Sequence, residues 1–362
     1  MSSESFEALD SFNIVVNQPT LSDDGPKSKK PWKYLSKFEV TCQGYSNVRC
    51  PVYANGRQQI PIQVNVEARD EDGVIVDVNH GRLYLNLCLY DEVDVFPPEL
   101  GRSGTEDSRF VYNHNVVNAS STTEESAVVP LPHESNERWQ VVKQFVSANK
   151  VGTYKLAVRC RSPDWVLFVT NTPNPPDGKF DSWLLIEARE PKSIHWEQLG
   201  ISERNHAVVN VNWDVDLYYI YFKDPNYRIV DSINYRTTIK GAHYVRSSNR
   251  ITKSEHIAFP VSEPRVYTHT SCGDSSISVK FNINNRPGQA TAARVHDFKA
   301  GLDCGHDRRK HGLMGYIDQY GNESKVTLKA FDYGQWMTLD DPSLADQVPV
   351  DSEPESPSEF EK

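Results

Sequence analysis

Apolar residues recur at every second position through much of the chain, the spacing of a strand with one buried face and not of a helix. Ile60, Ile62, Val64 and Val66 alternate with Pro61, Gln63, Asn65 and Glu67. Asp70-Glu-Asp-Gly73 then supplies a turn and Val74-Ile-Val-Asp-Val78 returns, so this stretch predicts a hairpin. Pro61 has no N–H to give to a ladder, which puts its strand at a sheet edge or marks the strand's start. Leu83, Leu85, Leu87 and Leu89 keep the same period, and that pattern outweighs leucine's helical propensity. Further strands are predicted at 138–146, 154–160, 165–169 and 183–187. The longest signal runs Val209, Val211, Trp213, Val215, Leu217, Tyr219, Tyr221. It exceeds the typical strand of about 5–6 residues, so it predicts two strands or one bent strand. Alternation continues at 227–230, 256–260, 265–270, 276–284, 290–295, 313–317 and 325–328.

Punctuation between these runs divides the chain. Residues 1–30 are turn-rich and charged and are expected to be flexible. Residues 31–190 form a first sandwich interrupted by a long polar loop at 97–136. Residues 191–206 read as a linker with a short helix around Trp196, and 207–336 as a second sandwich. Residues 337–362 are acidic, Ser- and Pro-rich, and are expected to be a disordered tail. A length of 362 residues suits two or three domains at roughly 100–200 residues each.

Two local patterns carry a resemblance. Gly152-Thr-Tyr154, after Ser147-Ala-Asn-Lys-Val151, resembles the entry to a late strand in immunoglobulin-like sandwiches, where a tyrosine sits at a corner. That tyrosine is not two residues before Cys160, so no antibody-type disulfide is implied. Asp318-Gln-Tyr-Gly-Asn322 lies between two strands, as Asp70-Glu-Asp-Gly73 does, and resembles turns in the repeated sandwich domains of bacterial surface proteins and adhesins. The resemblance implies an all-β chain of two or three antiparallel, immunoglobulin-like β-sandwich domains with disordered termini. It also implies a bacterial or phage-like binding or structural role.

Composition narrows the partners. Net charge is −10, of which Asp340 to Lys362 contributes −7, so the folded remainder is near balance. That gives no basic footprint for nucleic acid. No apolar run reaches the ~18 residues of a transmembrane helix, and Met1-Ser-Ser-Glu-Ser-Phe-Glu has no secretory pattern. The expectation is cytoplasmic with free thiols, export without a classical signal being the alternative.

Candidate chemistry gathers late in the chain. His269, Cys272, Cys304, His306 and His311 offer imidazole and thiolate donors at spacings short enough to converge on zinc. The other reading is an interstrand cysteine pair near a loop of solvated histidines. Cys272-Gly-Asp-Ser-Ser276 resembles the nucleophile loop of chymotrypsin-like proteases but lacks the glycines that shape an oxyanion hole, so a turn is expected. Arg308-Arg-Lys310 could meet phosphate or an acidic partner. Asp91, Glu92 and Asp94 cluster as calcium ligands do, without the glycine-punctuated loop. Tyr218 with Phe222, and Tyr84 with Tyr90, share second strand faces that could stack sugars or pack a second layer. The expectation is a non-enzymatic binding or structural protein that presents sandwich loops to a protein or glycan partner. Two alternatives stand beside it: a signal-less toxin that closes a membrane barrel, and a carbohydrate-active or metal-dependent enzyme.

Overall fold

The fold is taken from a computed structural model that describes residues 28–78, 85–112, 140–171, 173–174, 178–235, 245–249, 254–271, 274–299, 311–331 and 336–343. Residues 1–27 of the expected flexible N-terminus, 344–362 of the expected acidic tail and 113–136 of the expected polar loop lie outside these residues, whereas the head of the expected disordered tail is ordered, Trp336–Asp340 forming a strand with Met337 buried. The described chain is all-β, with no α-helix among the described residues. It divides into two compact units, Met1–Pro191 and Lys192–Lys362.

The first unit carries β1 (Tyr34–Cys42), β2 (Val48–Tyr53), β3 (Ile60–Arg69), β4 (Ile75–Val76), β5 (Asn86–Leu89), β6 (Leu100–Ser103), β7 (Gln140–Ala148), β8 (Gly152–Arg161), β9 (Leu167–Val169), β10 (Pro173–Asn174), β11 (Gly178–Lys179) and β12 (Leu184–Arg189). One sheet runs β1-β3-β7-β6 and the other β2-β12-β8-β5. The alternating residues Ile60, Ile62, Val64 and Val66 are wholly buried between them. Each such side chain contributes roughly 1.5–3 kcal/mol when removed from water. Pro61 is the second residue of β3, an interior strand between β1 and β7, so it marks a start and not an edge. Pairing is antiparallel except that β2 runs parallel to β12. Within the expected polar loop, Leu100–Ser103 is ordered as β6 on the free edge of β7, because Leu100 reaches the core.

The second unit carries a 3-10 turn at Trp196–Gln198, then β13 (Leu199–Ile201), β14 (Asn205–Val209), β15 (Trp213–Phe222), β16 (Ile229–Asn234), β17 (Val245–Asn249), β18 (Ser254–Ala258), β19 (Arg265–Thr270), β20 (Ser278–Ile283), β21 (Ala290–Asp297), β22 (His311–Asp318), β23 (Glu323–Phe331) and β24 (Trp336–Asp340). The stretch 191–206, expected as a linker, instead supplies the turn, β13 and the start of β14, because β13 and β14 pair in succession along one edge of β15. The long apolar run at 209–221 resolves into the two-strand alternative, with β14 and β15 joined at 210–212. The central sheet runs β13-β15-β21-β18-β17.

Both faces of that sheet are covered. Tyr218, Ile220 and Phe222 pack against the β16-β22-β23-β24 sheet through Met314, Tyr316 and Val326. Val215, Leu217 and Tyr219 pack on the other side against Val279, Phe281 and Ile283 of the β19–β20 hairpin. Tyr218 and Phe222 are buried and build a second packed layer, the packing alternative of the two that the sequence left open for them.

Candidate functional site

Three five-residue hairpin turns share one hydrogen-bond plan. Asp70 N donates to Val74 O at 3.0 Å, Gly73 N donates to Asp70 O at 3.2 Å, and Asp70 Oδ1 accepts from the Val74 amide at 2.9 Å. Asp318, Gly321 and Asn322 repeat it at 2.9, 3.0 and 2.8 Å. Ser162, Trp165 and Val166 repeat it again at 2.9, 2.9 and 3.1 Å, a hydroxyl replacing the carboxylate. The fourth position needs a left-handed backbone, with φ of 81° at Gly73 and 82° at Gly321. In the third turn that position is Trp165, at φ 65°. An L-residue there costs about 1–2 kcal/mol that glycine avoids. Trp165 is also 73% exposed, Val166 52% and Leu167 39%, an apolar tip beside Arg161, whose guanidinium lies 5.9 Å from the indole ring.

The second feature lies at one end of the central sheet of the second unit, where its two faces turn polar. On the hairpin side, His269 is buried, edge-on to Trp213 at 5.5 Å, with Nε2 3.8 Å from Glu255 Oε2. Ser271 Oγ donates to Asp297 Oδ2 at 2.6 Å nearby. Of the zinc ligands expected with His269, Cys272, Cys304 and His306 lie outside the described residues, and for His311 only the backbone at the head of β22 is described. The Arg308–Lys310 knot also lies outside them.

On the opposite face, Asp214 and Asp216 project from β15 beside Arg294 of β21, the cross-strand partner of Asp216. Arg294 Nη1 donates to Asp216 Oδ2 at 2.8 Å and to Asp214 Oδ2 at 3.0 Å. Asp216 is wholly buried. Burial pushes its carboxyl up from the ordinary value and Asp214 adds to the rise, while Arg204 and Arg294 oppose it. The Oδ1 atoms of both aspartates are buried with no hydrogen bond. His206 of β14 completes the group: its Nδ1 is 2.7 Å from Asp216 Oδ1 and 3.7 Å from Asp214 Oδ1. A register shift between His206 and Val208 makes this placement. Regular alternation would put both on one face. The bulge at Ala207 sends His206 to the aspartates and Val208 to the opposite core, re-aiming a side chain as such bulges do.

Tyr84 lies outside the described residues, and other candidates resolve into local structure. Asp94 pairs with Arg159, and Lys155 lies over the ring of Tyr90 at 3.4 Å. Asp274 accepts from the amide and hydroxyl of Ser276, a turn and not a nucleophile loop. A shallow cleft of about 290 Å³ brings His195, Glu323 and Lys325 together. There Lys325 already lies over the Tyr235 ring and Glu323 accepts from its hydroxyl. Sequence reasoning missed the aspartate–histidine group, because only the register and bulge of β14 bring its members together.

No protein-family model matches the chain, and no curated protein matches it. Among solved structures it is similar to the Yersinia pseudotuberculosis adhesin InvE, at 11% identity over 82% of this chain and 68% of that one, with a TM-score of 0.18. It is similar to invasin, a bacterial integrin-binding protein, at 8% identity over 80% of this chain and 39% of that one, with a TM-score of 0.18. Domains 5–6 of the S-layer protein SbsC show 9% identity over 84% and 99% of the two chains, with a TM-score of 0.19.

Proposed function

We propose that the chain is a non-enzymatic binding module whose first unit engages a protein partner through the β8–β9 turn. The observation that carries this is Trp165. It occupies the backbone position that glycine fills in the two sister turns, and it holds its indole in solvent. The contacts of the indole within the fold, the Arg161 guanidinium among them, only about offset the cost of the left-handed backbone, whereas tryptophan and arginine are the residues that most often anchor protein interfaces. Val166 and Leu167 extend the apolar tip, and the Lys33–Asp164 pair sets charges at its base. A Trp-centred patch with a charged rim fits the core-and-rim plan of a protein interface.

Immobilised wild-type and Trp165→Gly chains, exposed to lysate of the source organism and to a glycan array, test the reading. A protein species retained by the wild type and depleted at least ~10-fold by the variant is the expected result, the loss of one interface hot spot. Equal retention by both chains rejects the turn as the contact. Trp165-dependent glycan capture without a protein would change the partner class.

A further inference from the structure

The His206, Asp214 and Asp216 group does not belong to the binding turn and has a chemistry of its own. Three donor atoms, one imidazole nitrogen and two carboxylate oxygens, all lie within 4.8 Å of one another. Hydrogen bonding does not account for the arrangement. The Asp214 and Asp216 Oδ1 atoms are buried and make no hydrogen bond, and His206 Nδ1 at 2.7 Å from Asp216 Oδ1 is an ion-pair partner only when the imidazole is protonated. A buried carboxylate oxygen without a donor carries a desolvation penalty of about 1–3 kcal/mol or more. Arg294, itself buried, holds the Oδ2 atoms of both aspartates, which turns both Oδ1 atoms toward His206. Such outer partners orient ligands at metal centres. The Ala207 bulge is the device that delivers the imidazole to this face, and His206 is half exposed, which leaves an open approach from solvent.

We propose that His206, Asp214 and Asp216 form a binding site for a first-row divalent cation of borderline character, for which Zn²⁺ is the probe. A nitrogen and two oxygens at metal–ligand distances of ~2.0–2.2 Å suit such an ion, with further positions left to water. Arg294 sits in hydrogen-bond contact with both aspartates, and Arg204 Nε lies 3.6 Å from Asp216 Oδ1, stacked over Trp336 at 4.9 Å. These two cations offset the two carboxylates. The site therefore holds an ion by short bonds and not by a deep negative field. That selects against Ca²⁺, which requires six to eight oxygens, and for an ion that bonds imidazole.

The test uses the full chain, stripped with chelator and titrated with Zn²⁺, Co²⁺ and Ca²⁺ by calorimetry and absorption. The expected result includes one equivalent of Zn²⁺ or Co²⁺, a Co²⁺ spectrum without a thiolate charge-transfer band, and retention of that equivalent in Cys304→Ser. His206→Ala and Asp214→Asn should each weaken it by more than the ~10–100-fold typical of outer-shell changes. Both variants change partly exposed side chains, and in chelator they should melt with the wild type, so that only the Zn²⁺-induced rise in melting temperature is lost. Absence of any bound equivalent overturns the proposal. So does an equivalent that survives His206→Ala, or one that vanishes in Cys304→Ser with a thiolate band, or Ca²⁺ binding as tight as Zn²⁺.

Discussion

Replacing Trp165 by glycine deletes one of the largest side chains in the first unit and should leave its stability almost unmoved. Release of the left-handed backbone returns about 1–2 kcal/mol. Against this, glycine adds unfolded-chain entropy of about 0.5–1 kcal/mol. The indole is 73% exposed, so only about a quarter of its surface is covered. With ~200 Å² for a tryptophan and ~25 cal/mol per Å², that contact is worth ~1 kcal/mol. The Arg161 guanidinium at 5.9 Å adds about 0.5 kcal/mol at an exposed site. The terms nearly cancel, and the variant should unfold within about 1 kcal/mol of the wild type. A buried tryptophan such as Trp32 would lose about 3–5 kcal/mol on truncation. Gly321→Ala is the reciprocal change, since it puts a Cβ at φ 82° in the sister turn, and it should lose about 1–2 kcal/mol. Urea unfolding followed by far-ultraviolet circular dichroism reads all three. A loss of ~3 kcal/mol or more in Trp165→Gly would show that the indole supports the fold. A neutral Gly321→Ala would refute the left-handed accounting.

Two further outcomes follow from other groups. The Ser28 hydroxyl, then the amides of Val74 and Asp72, hold the Asp70 carboxyl below its ordinary 3.8. Its contribution is therefore present above pH 3.8 and lost as pH falls through the lower folded value, so the wild-type advantage over Asp70→Asn should shrink on acidification. An advantage that grows toward acid would reverse the assignment. Cys42, Cys50, Cys88 and Cys160 are free and buried, and burial pushes Cys88 up to about 11 and Cys160 higher still. Iodoacetamide at about pH 8 should leave these four unlabelled in the native chain and label all of them in denaturant. Peptide mapping that finds Cys88 or Cys160 alkylated under native conditions would contradict the packing.

The strands were legible because burial on one face imposes period two, which 60–66 show without interruption, whereas in β15 the alternation of Trp213 to Asp216 gives way from Leu217 on to a run buried on both faces. Pairing was less so. Pro61 proved compatible with an interior strand because it sits at the second residue of β3, and the parallel β2–β12 pair leaves no local trace. The linker reading of 191–206 failed because β13 has only three residues and β14 is mostly exposed, so neither shows an apolar period. The Trp165 turn was hidden inside an apolar run that reads as a strand start. Its Ser162 frame matches the Asp-x-x-Gly turns only once the backbone is seen. The aspartate–histidine group depends on cross-strand register, and a one-residue bulge at Ala207 decides it. No spacing rule reports such an event.

The central sheet of the second unit gives that unit its cooperativity. Ala292 packs toward one core and its neighbour Ala293 toward the other, with Tyr218 and Tyr219 divided in the same way on β15. Neither core can melt while the β15–β21 ladder stays in place for the other, because one backbone defines a wall of each. The two cores should therefore unfold as a single foldon, with amide protection along β15 and β21 reaching the global value for the unit. A cavity cut in either core would then register in the exchange rates of both.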